Sequence, residues 1–141
     1  MMQLSIRNRF DATVESVTVG PAMTTVHTRL TGGLAVTAAI TSDAAADLAL
    51  KVGAAVQVLI KSTEVAVAVD PVGRVSIRNL IPGTVSSVDH GAAMTVVRID
   101  VPDAGLLTSA ITHESAADLG LAAGMGVTAL VKSTDVALAV G

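Results

Sequence analysis

Four basic residues and their neighbours carry the chemistry this sequence could perform. Lys61-Ser62 and Lys132-Ser133 each open a Lys-Ser-Thr tripeptide followed by an acid, and Ser5-Ile6-Arg7-Asn8 returns as Ser76-Ile77-Arg78-Asn79. Ser5 and Arg7 stand two residues apart, as do Ser76 and Arg78, so on an extended segment both side chains leave the same face. Lysine adds a point charge and serine a hydroxyl. Such a set is rich in donors and suits an oxyanion, which offers only acceptors and whose charge Arg and Lys offset through charge-assisted bonds. Alanine-rich segments led by Thr41 and Thr112 read as short helices, whose starts would add backbone N–H groups. Each of those threonines also reads as a plain N-cap. For Ser62, Thr63, Ser133 and Thr134 the competing reading is ordinary strand polarity.

These residues recur because the chain is written twice. Residues 4–69 align on residues 75–140 without a gap, at the spacing that separates Arg7 from Arg78, and about half of the positions are identical. Residues 70–74, Asp-Pro-Val-Gly-Arg, form a linker of turn residues, which predicts two tandem domains, 1–70 and 71–141. The repeat also sorts the charges. Arg9 faces Leu80, Arg29 faces Asp100, Lys51 faces Ala122 and Arg98 faces His27, while only Arg7/Arg78 and Lys61/Lys132 are basic in both copies. Solubilising charges drift after duplication, whereas charges with a task stay. Each copy reads as strands, at residues 13–19, 23–30, 34–40, 56–60 and 65–69 in the first, with a short helix after Thr41 stopped by Gly53. That pattern predicts an all-β fold of two OB-like five-stranded barrels, each with one short helix.

Apolar residues make up 51% of the 141, charged residues 15%, and mean hydropathy is +0.67. Every apolar run is broken well before the roughly 18–20 residues that a spanning helix needs, and the first residues lack the apolar core of a signal peptide. A cytoplasmic protein is expected. Two small barrels have too few polar residues to cover their surface, so burial against further copies is expected as well. There is no cysteine, hence no disulfide or thiolate metal site. Ile60 and Val131 stand where a phosphate-binding P-loop needs glycine before its lysine. His27, His90 and His113 face Arg98, Val19 and Ser42 one repeat away and are expected at the surface rather than as metal ligands. Met23 and Met94 recur and are expected in the core. No catalytic set recurs, so an enzyme is not expected. A nucleic-acid-binding OB protein is one alternative, opposed by a net charge of −3 and a single aromatic, Phe10. A purely structural assembly module is another.

In order and twice over, the Ser-x-Arg-Asn stretch, the Ile-Thr-led helix start and Lys-Ser-Thr-Glu/Asp-Val resemble the molybdate-binding Mop/TOBE family, the molbindins, and most of all its two-domain form. The resemblance implies an OB-like barrel in each half and a homotrimer of two-domain chains, with molybdate or tungstate bound at subunit and domain interfaces. It further implies a role in molybdenum storage or homeostasis, with no nucleic-acid or membrane partner. Its ligands would be Ser5, Arg7, Lys61 and Ser62 from one barrel, and Ser76, Arg78, Lys132 and Ser133 from the other. Thr41, Thr112 and Ser115 of a neighbouring barrel would complete the pockets, and Asn8 and Asn79 would line further sites near the symmetry axis. The position matching Ser115 is Ala44, so sites using the first repeat's helix are expected to bind more weakly.

Overall fold

The computed structural model describes residues 3–141. The first repeat supplies β1 (Asn8–Val19), β2 (Met23–Leu30), β3 (Ala35–Thr41), β4 (Ala55–Ile60) and β5 (Ala66–Ala68). The second supplies β6 (Asn79–His90), β7 (Met94–Val101), β8 (Gly105–Thr112), β9 (Gly126–Val131) and β10 (Val136–Ala139). Helix α1 (Ser42–Asp47) follows β3 and α2 (His113–Leu119) follows β8. The chain is all-β, as expected, with two curled five-stranded sheets.

Two-residue alternation makes the strands. In β2, Thr24, Val26, Thr28 and Leu30 are buried while the residues between them are not. The inward threonines are satisfied locally: Thr28 Oγ1 donates to the Val36 carbonyl at 2.7 Å, and Thr24 Oγ1 lies 2.9 Å from Ser42 Oγ. β1 starts five residues before the expected 13–19 because its first part pairs with β4 and its later part with β2. A bulge between Val14 and Ser16 bends it between those partners, and β6 repeats the device between Val85 and Ser87.

The fifth strand of each sheet comes from the other repeat. The strand orders are β10-β4-β1-β2-β3 and β5-β9-β6-β7-β8. Val136 pairs with Ile60, and Ala66 pairs with Leu130. Both Lys-Ser-Thr segments are therefore crossovers, and the reading of their polarity as strand polarity is corrected. Ser62–Glu64 and Ser133–Asp135 are one-turn 3-10 helices, because here the chain must leave one sheet and enter the other. One hydrophobic cluster runs through both repeats and includes Val26, Val58, Ile60, Ile99, Leu107 and Val136.

Two local expectations fail. α1 ends at Asp47, well before Gly53, with Ala49 taking the left-handed backbone (φ 51°). Gly120, its counterpart, caps α2 in the same region (φ 62°). Met23 and Met94 are each 45% exposed rather than core. They open β2 and β7 at the end of the sheet, beyond the cluster.

The turns after β2 and β7 meet across the repeats. Gly32 has φ +102°, and a Cβ there would lie 2.5 Å from the Asp103 carbonyl oxygen. Gly33 has φ +103° but open space around it. Gly33→Ala is expected to cost only the left-handed penalty of about 1–2 kcal/mol. Gly32→Ala is expected to cost about 2–4 kcal/mol, since the turn must also move off its partner. Urea unfolding of both variants checks this; equal losses would mean the approach of Gly32 to Asp103 yields freely.

Candidate functional site

The residues repeated in both copies lie at the two crossovers and in the segments just before β1 and β6. Lys61 and Lys132 cap the one-turn helices in extended conformation, and their carbonyls accept from the N–H of Glu64 and Asp135, each at 2.9 Å. The next residue turns inward. Ser62 Oγ and Ser133 Oγ are buried side-chain atoms with no hydrogen-bond partner among the described residues. Leaving a buried hydroxyl unpaired costs about 1–3 kcal/mol, and here it happens at the same position of both repeats.

Ser5, Arg7 and their counterparts lie just before β1 and β6. The Arg7 guanidinium folds back on its own segment, with Nε donating to the Ser5 carbonyl at 3.1 Å and Nη2 to the Leu4 carbonyl at 2.7 Å. Arg78 does the same to Ser76 (3.3 Å) and Val75 (2.9 Å). The guanidinium thus shapes the loop that carries the serine, and the loop holds the charge in place.

Asn8 and Asn79 are 1% and 3% exposed. Asn79 Oδ1 accepts from Thr37 N at 2.8 Å, and its Nδ2 donates to the Thr37 carbonyl at 2.9 Å. Asn8 makes the same pair with Thr108, at 2.7 and 2.8 Å. β3 and β8 are edge strands, so each amide supplies the peptide-like partner that an edge lacks. Both ends of each amide are engaged in joining the repeats.

Ser76, Arg78, Lys132, Ser133 and Thr134 come together in a cleft of about 460 Å³, facing Thr25, His27 and Thr37 of the first repeat. In the first repeat Lys61 lines a smaller cleft of about 240 Å³ with Glu64, Thr134 and Asp135. Thr112 and Ser115 lie elsewhere, in a cleft of about 440 Å³ with Thr63, Glu64 and Lys132. Lys132 alone of these candidate residues borders both the 460 Å³ and the 440 Å³ cleft.

The helix starts have little left for an anion. Thr41 Oγ1 accepts from Ala44 N and Thr112 Oγ1 from Ser115 N, each at 3.1 Å, while Ser42 N and His113 N donate to Ala22 and Ala93 carbonyls. The Ala44 N–H therefore cannot stand in for the hydroxyl that Ser115 has and Ala44 lacks. Thr112 Oγ1 also donates to Ser115 Oγ at 2.8 Å.

Sequence reasoning missed Thr25, His27 and Thr37. A signal was present: His27 and Arg98 occupy the same position of the two repeats, and both can donate from a side-chain nitrogen. Counting Lys and Arg alone discarded the pair. His113 is half-buried, within 3.3 Å of Thr95 Oγ1 and edge-on to His90 at 5.5 Å between ring centroids. Among the described residues no group of three or more His, Cys, Asp or Glu could hold a metal ion, and no helix is long and apolar enough to cross a membrane.

Comparison with known proteins matches the TOBE domain family twice, over residues 4–67 and 75–138. The chain is 34% identical over 140 residues to the molybdenum transport protein ModE of Herbaspirillum seropedicae, covering 99% of this chain and 52% of that protein. It is 39% identical over 140 residues to the molybdenum-pterin-binding protein MopA of Rhodobacter capsulatus, covering 98% and 52%. The chain thus spans about half the length of these relatives. Among solved structures it is similar to the cytoplasmic molybdate-binding protein ModG with molybdate bound. That match has a TM-score of 0.96 and 33% identity, and covers 99% of this chain and 100% of the other.

Proposed function

The chain belongs to the TOBE domain family, and from that premise we propose that it binds molybdate or tungstate as the intact oxyanion, for molybdenum storage or homeostasis in the cytoplasm. The observation that carries this is the pair of buried hydroxyls of Ser62 and Ser133, unpartnered among the described residues, each following a lysine, with Ser133 sharing one cleft with Ser76 and Arg78. A buried donor left open at the same position of both repeats calls for an acceptor, and a bound oxyanion supplies one.

The donor set selects among anions. Molybdate at neutral pH carries no proton, so a pocket of donors satisfies all its oxygens. Hydrogen phosphate would turn its own proton toward a donor, which is costly where water is excluded. Sulfate has no such proton, so size must discriminate against it. The net charge of −3 supplies no long-range attraction, and the Lys and Arg side chains act locally.

Ser76, Arg78, Lys132 and Ser133 form one half of a pocket, and Ser5, Arg7, Lys61 and Ser62 form its counterpart. Thr112 and Ser115 border a different face of the same chain, so in this reading they and Thr41 serve pockets completed by a neighbouring copy in a homotrimer. Asn8 and Asn79 hold the repeats together rather than contact the anion. The repeats 1–70 and 71–141 act as two binding units of one folded body, and the protein works by binding, without catalysis.

Titration calorimetry of the full chain with molybdate, tungstate and sulfate tests this. Saturable uptake of the first two, with sulfate at least about tenfold weaker, is expected. Absence of heat with molybdate and tungstate alike would overturn the proposal.

A further inference from the structure

The cleft over Lys132 and Ser133 has two walls, and only one of them belongs to the second repeat. The other is the outer face of β2 and β3, because the Ser133–Asp135 turn crosses over onto β3 at the point of strand exchange. On that wall His27 stands beside Thr37 across the β2–β3 ladder.

The polar contacts of this wall form a chain that ends at the imidazole. Asn79 holds the Thr37 peptide on both sides, at 2.8 and 2.9 Å. Thr37 Oγ1 lies 3.0 Å from His27 Nδ1. If the threonine hydroxyl donates to Nδ1, the ring proton is placed on Nε2. Nε2 has no partner among the described residues, and the ring borders the cleft that holds Arg78, Lys132 and the unpartnered Ser133 hydroxyl. Arg29, the next cation on this face of β2, is tied to Glu15 at 2.8 Å and to the Gly33 carbonyl at 2.6 Å. His27 is therefore the nitrogen donor that the first repeat offers to this cleft, beside the hydroxyl of Thr25.

The other repeat departs from this arrangement at two of the three wall residues, with Val96 in the place of Thr25 and Arg98 in the place of His27. Arg98 stands across from Thr108, whose peptide Asn8 holds just as Asn79 holds that of Thr37. Arg98 thus takes the place beside Arg7-Asn8 that His27 takes beside Arg78-Asn79. Its guanidinium, however, is paired with the Asp89 carboxylate, and the residue matching Asp89 is Thr18. An arginine engaged in an exposed ion pair stands on one side, and an imidazole with an open ring nitrogen stands on the other.

We propose that His27 is a ligand-contacting residue of the second-repeat pocket, donating from Nε2 to the bound oxyanion, with Thr37 as the residue that positions it. This makes the pocket a joint product of the two repeats, and makes the two pockets of one chain unequal. The inference rests on the oxyanion-binding reading above.

The test is a molybdate titration of the full chain with ¹⁵N-labelled histidine, followed by NMR, together with calorimetry of His27→Ala, His27→Gln and Thr37→Val. His27 ring signals are expected to move with saturation, and to return once the anion is withdrawn by dialysis. His27→Ala is expected to weaken one class of sites about tenfold, the scale of one hydrogen bond to a charged group. Gln carries an amide N–H near the position of Nε2, so His27→Gln is expected to recover most of that loss. Thr37→Val is expected to weaken the same class less, and to alter the ring nitrogen shifts of the free protein. Molybdate binding that leaves the His27 ring and the His27→Ala affinity unchanged would overturn this inference while the oxyanion reading stands. Absence of binding by the wild-type chain would overturn both.

Discussion

Replacing Lys61 and Lys132 together by methionine is expected to weaken molybdate binding at every site by about 10- to 100-fold while leaving the fold intact. Each lysine contributes a charge-assisted bond, worth about 1.5–3 kcal/mol when the acceptor is charged. Neither ammonium makes a hydrogen bond or ion pair to the rest of the chain among the described residues, and both side chains are exposed. The backbone of each lysine, which caps its one-turn helix, is untouched by the change. Stability should therefore stay within about 0.5 kcal/mol of wild type. Calorimetry with molybdate and urea unfolding of the double variant give both numbers. Unchanged affinity would refute the assignment of these lysines. Lost affinity accompanied by unfolding would assign them a structural role instead.

Residues 1–70 expressed alone are expected to form no folded monomer. Without the second repeat, β4 loses β10 from its outer edge and β5 has no β9 to pair with. Val26, Val58 and Ile60 also lose the Ile99, Leu107 and Val136 side of their common cluster. A chain of this size is marginal even with a complete core, so removing a strand and half of the core leaves too little burial to offset chain entropy. At high concentration one rescue is open. The segment 64–69 of one copy resembles 135–140 closely enough to take its place in another, giving a dimer by strand exchange. Circular dichroism with sedimentation analysis decides the matter. A cooperatively unfolding monomer of residues 1–70 would show that strand exchange is dispensable, and that the two repeats are independent barrels.

Both results depend on features that differ in how far they could be read from the chain. The proposed ligands were legible because duplication left Ser-x-Arg-Asn and Lys-Ser-Thr in both copies while most other charges diverged. His27 was not, since its partner in the other copy is an arginine and its relevance comes from a wall contributed by a different repeat. Asn8 and Asn79 recur as strictly as the arginines beside them, and recurrence alone could not separate an anion contact from a bridge to an edge strand.

The sequence by itself determined what depends on neighbours within a few residues. The alternation Thr24, Val26, Thr28, Leu30 makes a strand with one buried face wherever it is placed. Thr41 and Thr112 begin helices because their hydroxyls reach a backbone N–H three residues ahead. Tertiary structure alone decided which sheet receives β5 and β10. The two repeats are so alike that Val-Ala-Val and Val-Ala-Leu segments can add to either sheet, and the local pattern is the same in both outcomes. The choice is made at the crossover, where the Lys-Ser-Thr turn carries the chain from one sheet to the other and packs against the opposite repeat. That choice turns Ser62 and Ser133 inward with no partner among the described residues and sets the proposed second-repeat ligands against His27. No rule acting along the chain contains that information, because the contacts joining Asn8 to Thr108 and Ser133 to the β2–β3 face exist only once both repeats have folded around one core.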